Sequence, residues 1–300
     1  MNEVCKRARR VLVALGIAWL SGTAAAQAPT ADQQSALQAE VARVRQVGPV
    51  DVELNDQARL RLPQGTMFVP QPAAGKILKS MGNSADARVL GLIYPLGDKQ
   101  DWAIIAEYEP AGYIKDDDAR DWNADDLLKS LKDGTAAANA ERQKAGFAAL
   151  EVTGWAEKPA YDAATHRLVW AANAVRPGSA NEPTIVNYNT YALGRHGYIS
   201  LNLLTDSQHL EADKAAARDL MSRLDFNEGQ RYADFDLKTD HVAEYGLAAL
   251  VAGVAVKKLG LLAVFGVALL KVWKVGLIAL VGIGSLWPKL RNRFRKPPAA

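Results

Sequence analysis

From Tyr245 to Trp287 the sequence is Ala, Leu, Val, Ile and Gly almost without interruption, broken by Lys257, Lys258, Lys271 and Lys274 and closed by Lys289, Arg291, Arg293, Arg295 and Lys296. A stretch this apolar and this long reads as a membrane anchor, so whatever folds in water must be built from the residues before it. Its pieces, 242–256, 259–270 and 275–287, are each shorter than the roughly 20 residues of a helical span. Two arrangements fit. In one, 242–257 is an interfacial or packed helix and a single helix from Leu259 to Trp287 crosses the bilayer; in the other, the tail crosses twice as a hairpin. The single crossing is favoured because it carries the basic end to the cytoplasm, as positive charge next to a span prefers. Lys271 and Lys274 lie one helical turn apart, with Trp273 between them and Trp287 closing the stretch as further anchor residues. A charge at depth costs about 2.5–3.5 kcal/mol, so the two lysines either snorkel to lipid headgroups or face a protein partner.

The other end reads as a secretory signal, with basic Lys6–Arg10, apolar Val11–Leu20 and small Ala24–Ala25–Ala26, cleaved before Gln27. An uncleaved anchor is the alternative. The one cysteine, Cys5, lies inside this signal, so the mature chain is expected to carry neither disulfides nor cysteine-based chemistry. Three segments follow: 1–26 as signal, 27–241 as the folded domain and 242–300 as the anchor. The net charge of +3 conceals their contrast, because 27–241 holds 23 Lys/Arg against 31 Asp/Glu. An acidic domain disfavours a nucleic-acid partner, which requires a basic face.

Within the domain, Thr30 and Gln33 form a capping box before Leu37, Val41 and Val44, predicting a helix over 31–46. Strands are expected at 58–62, 66–70, 88–95, 102–109, 148–156, 167–175, 183–193 and 197–204, with a turn at Lys158–Pro159. Trp102, Ile104 and Ala106 alternate with Glu107 and Glu109, and Ile199, Leu201 and Leu203 with Ser200 and Asn202, which is the period of strands with one buried face. Asn123 caps a helix through Leu127, Leu128 and Leu131, and Asp206 caps another through Leu210, Ala217 and Met221. The fold class is therefore α+β: an antiparallel sheet with helices on one side, followed by the C-terminal transmembrane tail.

The strings Gly112-Tyr-Ile-Lys-Asp-Asp-Asp-Ala119, Gly154-Trp155, Val186-Asn187-Tyr188, Leu193-Gly194-Arg195, Gly229-Gln-Arg-Tyr-Ala-Asp-Phe235 and Tyr245-Gly246-Leu247 resemble a bacterial family of predicted membrane-anchored proteins filed as domain of unknown function 2167. The resemblance implies a Gram-negative envelope protein in the inner membrane, its domain periplasmic and its C-terminus cytoplasmic, with no catalytic residues to transfer. The order of hairpin, helix, further strands and closing helix resembles the Mog1/PsbP-like fold, an analogy that says nothing firm about function.

Asp116, Asp117, Asp118, Asp121, Asp125 and Asp126 crowd one loop, and hard cations take several carboxylate oxygens at one point. The loop lacks the glycine and closing glutamate of an EF-hand, and aspartates also favour turns and helix starts. Arg195, in the turn before His196, is a candidate to face a ligand, although a hairpin turn accounts for it equally well. The four histidines show no metal-ligand spacing, and no serine-hydrolase or phosphate-loop motif is present. Glu107 and Glu109 could bracket a sugar in principle. The favoured reading is a non-enzymatic envelope protein without a cofactor, in contact with lipid and with a protein partner in the envelope. The alternative is a membrane-tethered, metal-dependent hydrolase using the 116–126 loop.

Overall fold

In the strand Ala58–Leu62, Ala58, Leu60 and Leu62 are buried while Arg59 and Arg61 are exposed, the two-residue alternation of a strand with one face on a core. The same rule, repeated across the chain, builds the architecture of the computed structural model. It describes residues 31–252 apart from 81–85, 97–99, 101, 121, 145–146 and 180–181. The elements are α1 (Ala31–Val44), β1 (Gln46–Val47), β2 (Val50–Leu54), β3 (Ala58–Leu62), β4 (Thr66–Pro70), α2 (Ala73–Ser80), β5 (Val89–Pro95), β6 (Ala103–Glu109), a 3-10 turn (Asp117–Arg120), α3 (Ala124–Lys144), β7 (Glu151–Asp162), β8 (Arg167–Val175), β9 (Ile185–Leu193), β10 (Tyr198–Asp206), α4 (Leu210–Ser222), β11 (Leu224–Phe226), a 3-10 turn (Tyr232–Asp234) and α5 (Leu247–Ala252).

Eight strands form an antiparallel sheet in the order β1-β4-β5-β6-β10-β9-β8-β7, and β11-β3-β2 form a smaller one. Cross-strand partners share a face, so the pairings sort the core into layers. Phe68, Ile93, Ile104, Leu203, Tyr188 and Ala171 lie on one face, packed with the small sheet and with α4 through Leu210, Ala217, Leu220 and Met221. The other face is covered at two places. Over β4 and β5, α1 and α2 supply Val41, Ala73, Ala74, Ile77 and Leu78. Over β7, β8 and β9, α3 and α5 supply Leu127, Leu247, Leu250 and Val251 against Leu168, Trp170 and Tyr191.

The α+β class and the eight expected strands are present, with differences of physical origin. Helices lie on both sides, because α4 turns its apolar stripe to the face opposite α3. Lys158–Pro159 is inside β7, not a turn: β7 is an edge strand interrupted by register shifts between Val152 and Ala160, where a missing N–H is tolerated. Asp206 caps the turn before α4, accepting from the Gln208 and His209 N–H groups, and the helix itself begins at Leu210. Residues 242–252, the start of the apolar tail, join the folded unit through α5 and a bridge from Val242 to Tyr113. The expected signal and the rest of the expected anchor, with Lys271, Lys274, Trp273 and Trp287, lie outside the described residues. Among those residues, no helix is long and apolar enough to cross a membrane.

Candidate functional site: a polar strip between two helical caps

Between the two helical caps, the covered face runs over β6, β10 and β9, where apolar side chains give way to polar ones. Register places Glu107 beside Ser200 and Tyr191, and Ile105 beside Asn202 and Asn189, with Asn187 next along β9. Ser200 keeps 2% of its exposure and Asn189 3%, while Glu107 and Asn202 are partly exposed and Asn187 is open to solvent. The strip is thus a floor sunk between walls yet reachable from outside. Its internal bonding is sparse: Asn202 Nδ2 donates to Glu107 Oε2 at 3.3 Å and to Ser200 Oγ at 3.4 Å, and Asn189 Nδ2 donates to the Asn187 carbonyl. The Asn202 Oδ1 atom is buried without a hydrogen-bond partner, an arrangement that costs about 1–3 kcal/mol.

Charge at the strip is arranged along one margin. Arg88 donates to Glu109 at 3.0 Å and to Asp86 at 2.6 Å, and these bonds raise its pKa further above the usual guanidinium value. Burial pushes the Glu107 carboxyl above the ordinary range, the opposing pull of Arg88 being the smaller effect. The Tyr245 phenol, approaching from the start of α5, is pushed up to about 12 by burial and the nearby Glu109.

The acidic loop is dispersed by the fold. Asp118 accepts from the Leu247 and Ala248 N–H groups at 3.1 and 3.0 Å, capping α5. Gly246 is required beside it, since a Cβ there would run into the Asp118 carboxylate. Asp116 turns the other way and accepts from Tyr161 Oη at 2.7 Å, and Tyr161 in turn lies 3.1 Å from His166 Nδ1. Asp117, Asp125 and Asp126 are exposed, the last two with their N–H groups bonded to the Asn123 cap. Among the described residues, no group of three or more His, Cys, Asp or Glu side chains is placed to hold a metal ion.

Arg195 is turned inward. Its guanidinium forms a two-pronged pair with Asp240 (2.7 and 2.9 Å) and donates to the Gly229 carbonyl, clasping the 229–240 loop to the β9–β10 turn. The Asp240 side chain retains 3% of its exposure, and Arg195 holds its carboxyl well below the usual carboxylate range. His166, at φ 52°, stacks on Tyr232 (4.0 Å between ring centroids), Tyr232 on Tyr113 (4.4 Å), and Tyr113 on Phe235 (3.9 Å). This column joins three loops, and sequence reading had no means to see it.

The sequence profile described as "Protein of unknown function (DUF2167)" matches residues 46–281. The chain belongs to the DUF2167 family. The matched span takes in every strand of this DUF2167 domain, the strip, the Arg195 clasp and α5, and runs on into the apolar tail. No curated protein matches the sequence. Among solved structures, this DUF2167 chain is similar to the solution structure of cyanobacterial PsbP (CyanoP) from Synechocystis sp. PCC 6803. The two share 12% identity, with 61% of this chain and 91% of that one covered at a TM-score of 0.38. An overlap of that quality carries no argument about function or about the finer fold name.

Proposed function

We propose that the protein is a non-enzymatic binding domain of the cell envelope, held at the inner membrane of a Gram-negative cell by its C-terminal apolar segment, with the domain periplasmic and the C-terminus cytoplasmic. The observation that supports binding is the strip: a half-open floor of amide, hydroxyl and carboxyl groups at positions where the sheet calls for apolar ones. Proteins keep such local violations where they serve a site. The hydrolase alternative is weakened because Asp116 and Asp118 are taken up separately by Tyr161 and by α5, and so do not converge. The signal-like start and the apolar, basic-ended tail support the location, and lipid contacts follow from the tail. Lys271 and Lys274 are where a protein partner in the envelope would meet the anchor.

Cysteine labelling in intact cells tests this arrangement. In a Cys5→Ser background, Leu237→Cys places a thiol at a side chain that is 78% exposed, and Ala300→Cys places one at the end of the chain. With an outer membrane made permeable, a maleimide that cannot cross the inner membrane should label position 237 and leave 300 unlabelled until lysis. Labelling of 300 before lysis removes the single crossing, and protection of 237 removes the periplasmic location.

A further inference from the structure

We propose that the strip formed by Glu107, Asn187, Asn189, Ser200 and Asn202 binds a neutral, hydroxyl-rich ligand, a saccharide, laid across β6, β10 and β9. The inference deepens the reading of the chain as a binding domain and rests on it.

Four observations select this chemistry. First, the backbone groups of β6, β10 and β9 are engaged in ladders on both sides, so a peptide cannot add as a strand here and a ligand is read by side chains alone. Second, the unmet group is an acceptor, the buried Asn202 Oδ1. The atom is closed to solvent, but the Asn202 side chain is itself partly exposed; turned outward, it calls for a ligand that donates, and a hydroxyl both donates to an amide oxygen and accepts from an amide N–H. Third, the charges are already matched or disfavoured. Arg88 is held by Asp86 and Glu109, leaving little to attract an anion, and among the described residues no group of three or more His, Cys, Asp or Glu side chains is placed to hold a cation, while burial raises the Glu107 carboxyl's pKa. Fourth, three strands at the usual spacing give a floor roughly 10 Å across, which suits a short oligosaccharide better than an ion. Ile105, partly exposed in the same row as Asn202 and Asn189, offers an apolar patch for the C–H side of a sugar ring.

The test uses full-length protein in lipid nanodiscs, with maltotetraose, cellotetraose and chitotetraose as probes, followed by calorimetry and saturation-transfer NMR. At least one of the three is expected to bind. Asn202→Leu should weaken that binding on the order of tenfold or more while raising the thermal midpoint, because an apolar side chain suits a covered sheet face better than an unpaired amide. Glu107→Gln, which keeps a polar side chain of the same size, should bind more tightly than Glu107→Leu, which removes every hydrogen-bonding group at that position. Absence of binding by all three sugars overturns the proposal. If Asn202→Leu still raises the midpoint in that case, only the ligand class falls and the binding-domain reading stands. If Asn202→Leu and Ser200→Ala both lower the midpoint and no sugar binds, the strip is a structural network and both fall together.

Discussion

Asp118 ties the acidic loop to the root of the C-terminal segment, and the strength of that tie can be worked from its geometry. Alanine at position 118 removes two acceptors at once, those facing the Leu247 and Ala248 N–H groups. Loss of a side-chain cap costs about 0.5–2 kcal/mol, and the second oxygen places this case in the upper part, about 1–2 kcal/mol. That is roughly a 5- to 30-fold rise in the open population of the segment. Limited proteolysis reads it directly, because cleavage tracks the open population when reclosing is faster than cutting. Chymotrypsin cleavage after Tyr245 in the full-length protein should therefore accelerate about 5- to 30-fold in Asp118→Ala, with Asp118→Asn, which keeps one acceptor, in between. Gly246→Ala should produce a similar acceleration by evicting the carboxylate with its new Cβ. In the Asp118→Ala background its partner in collision is gone, so the double variant should cleave much like the single one. Equal rates for wild type and Asp118→Ala would refute the cap, leaving α5 held by burial of Leu247 and Val251 alone. Effects that multiply in the double variant would refute the contact.

Three further predictions concern the sheet and its clasp. Glu107 has a raised pKa in the folded state, so its contribution is complete at low pH and is lost as pH rises from the ordinary carboxyl value through the raised one; Glu107→Gln should match wild type in urea unfolding near pH 4 and exceed it at pH 7. Asp240 has a lowered pKa caused first by Arg195, so its contribution is present above the usual carboxylate value and disappears as pH falls through the lowered one; Arg195→Met should reduce stability at neutral pH and flatten the acid limb, whereas an unchanged acid limb would mean the clasp carries no such linkage. Gly197 has φ 154°, and a Cβ there would fall on the Glu109 carbonyl; Gly197→Ala should lower Tm by roughly 5 °C or more in differential scanning, and an unaltered Tm would show that the β9–β10 turn can shift at no cost.

Much of the scaffold was legible because strand periodicity is local. Ile199, Leu201 and Leu203 alternate with Ser200 and Asn202 in the sequence, and they do so across the sheet. What alternation could not say is what lies over the second face. It read Ser200 and Glu107 as wet, yet α1 with α2 on one side and α3 with α5 on the other sink that face, leaving Ser200 with 2% of its exposure. The small strands β1, β2 and β11 and the helix α2 were not read from the sequence, being short and dependent on partners far away in the chain. Asp118 and Gly246 were both singled out as family-like residues, but that they touch each other was not readable, since more than a hundred residues separate them.

The class of the fold, most of its strands, the acidic balance of the domain and the apolar character of the segment that follows were all readable in one dimension, because each depends on composition or on neighbours a few residues away. What the singled-out charges do depends instead on the folded arrangement. It sent Asp116 to Tyr161, Asp118 to α5 and Arg195 to Asp240, and it assembled Glu107, Asn187, Asn189, Ser200 and Asn202 into one floor. Hydrogen bonding and burial act between groups close in space, and β6, β9 and β10 meet only when the chain has folded.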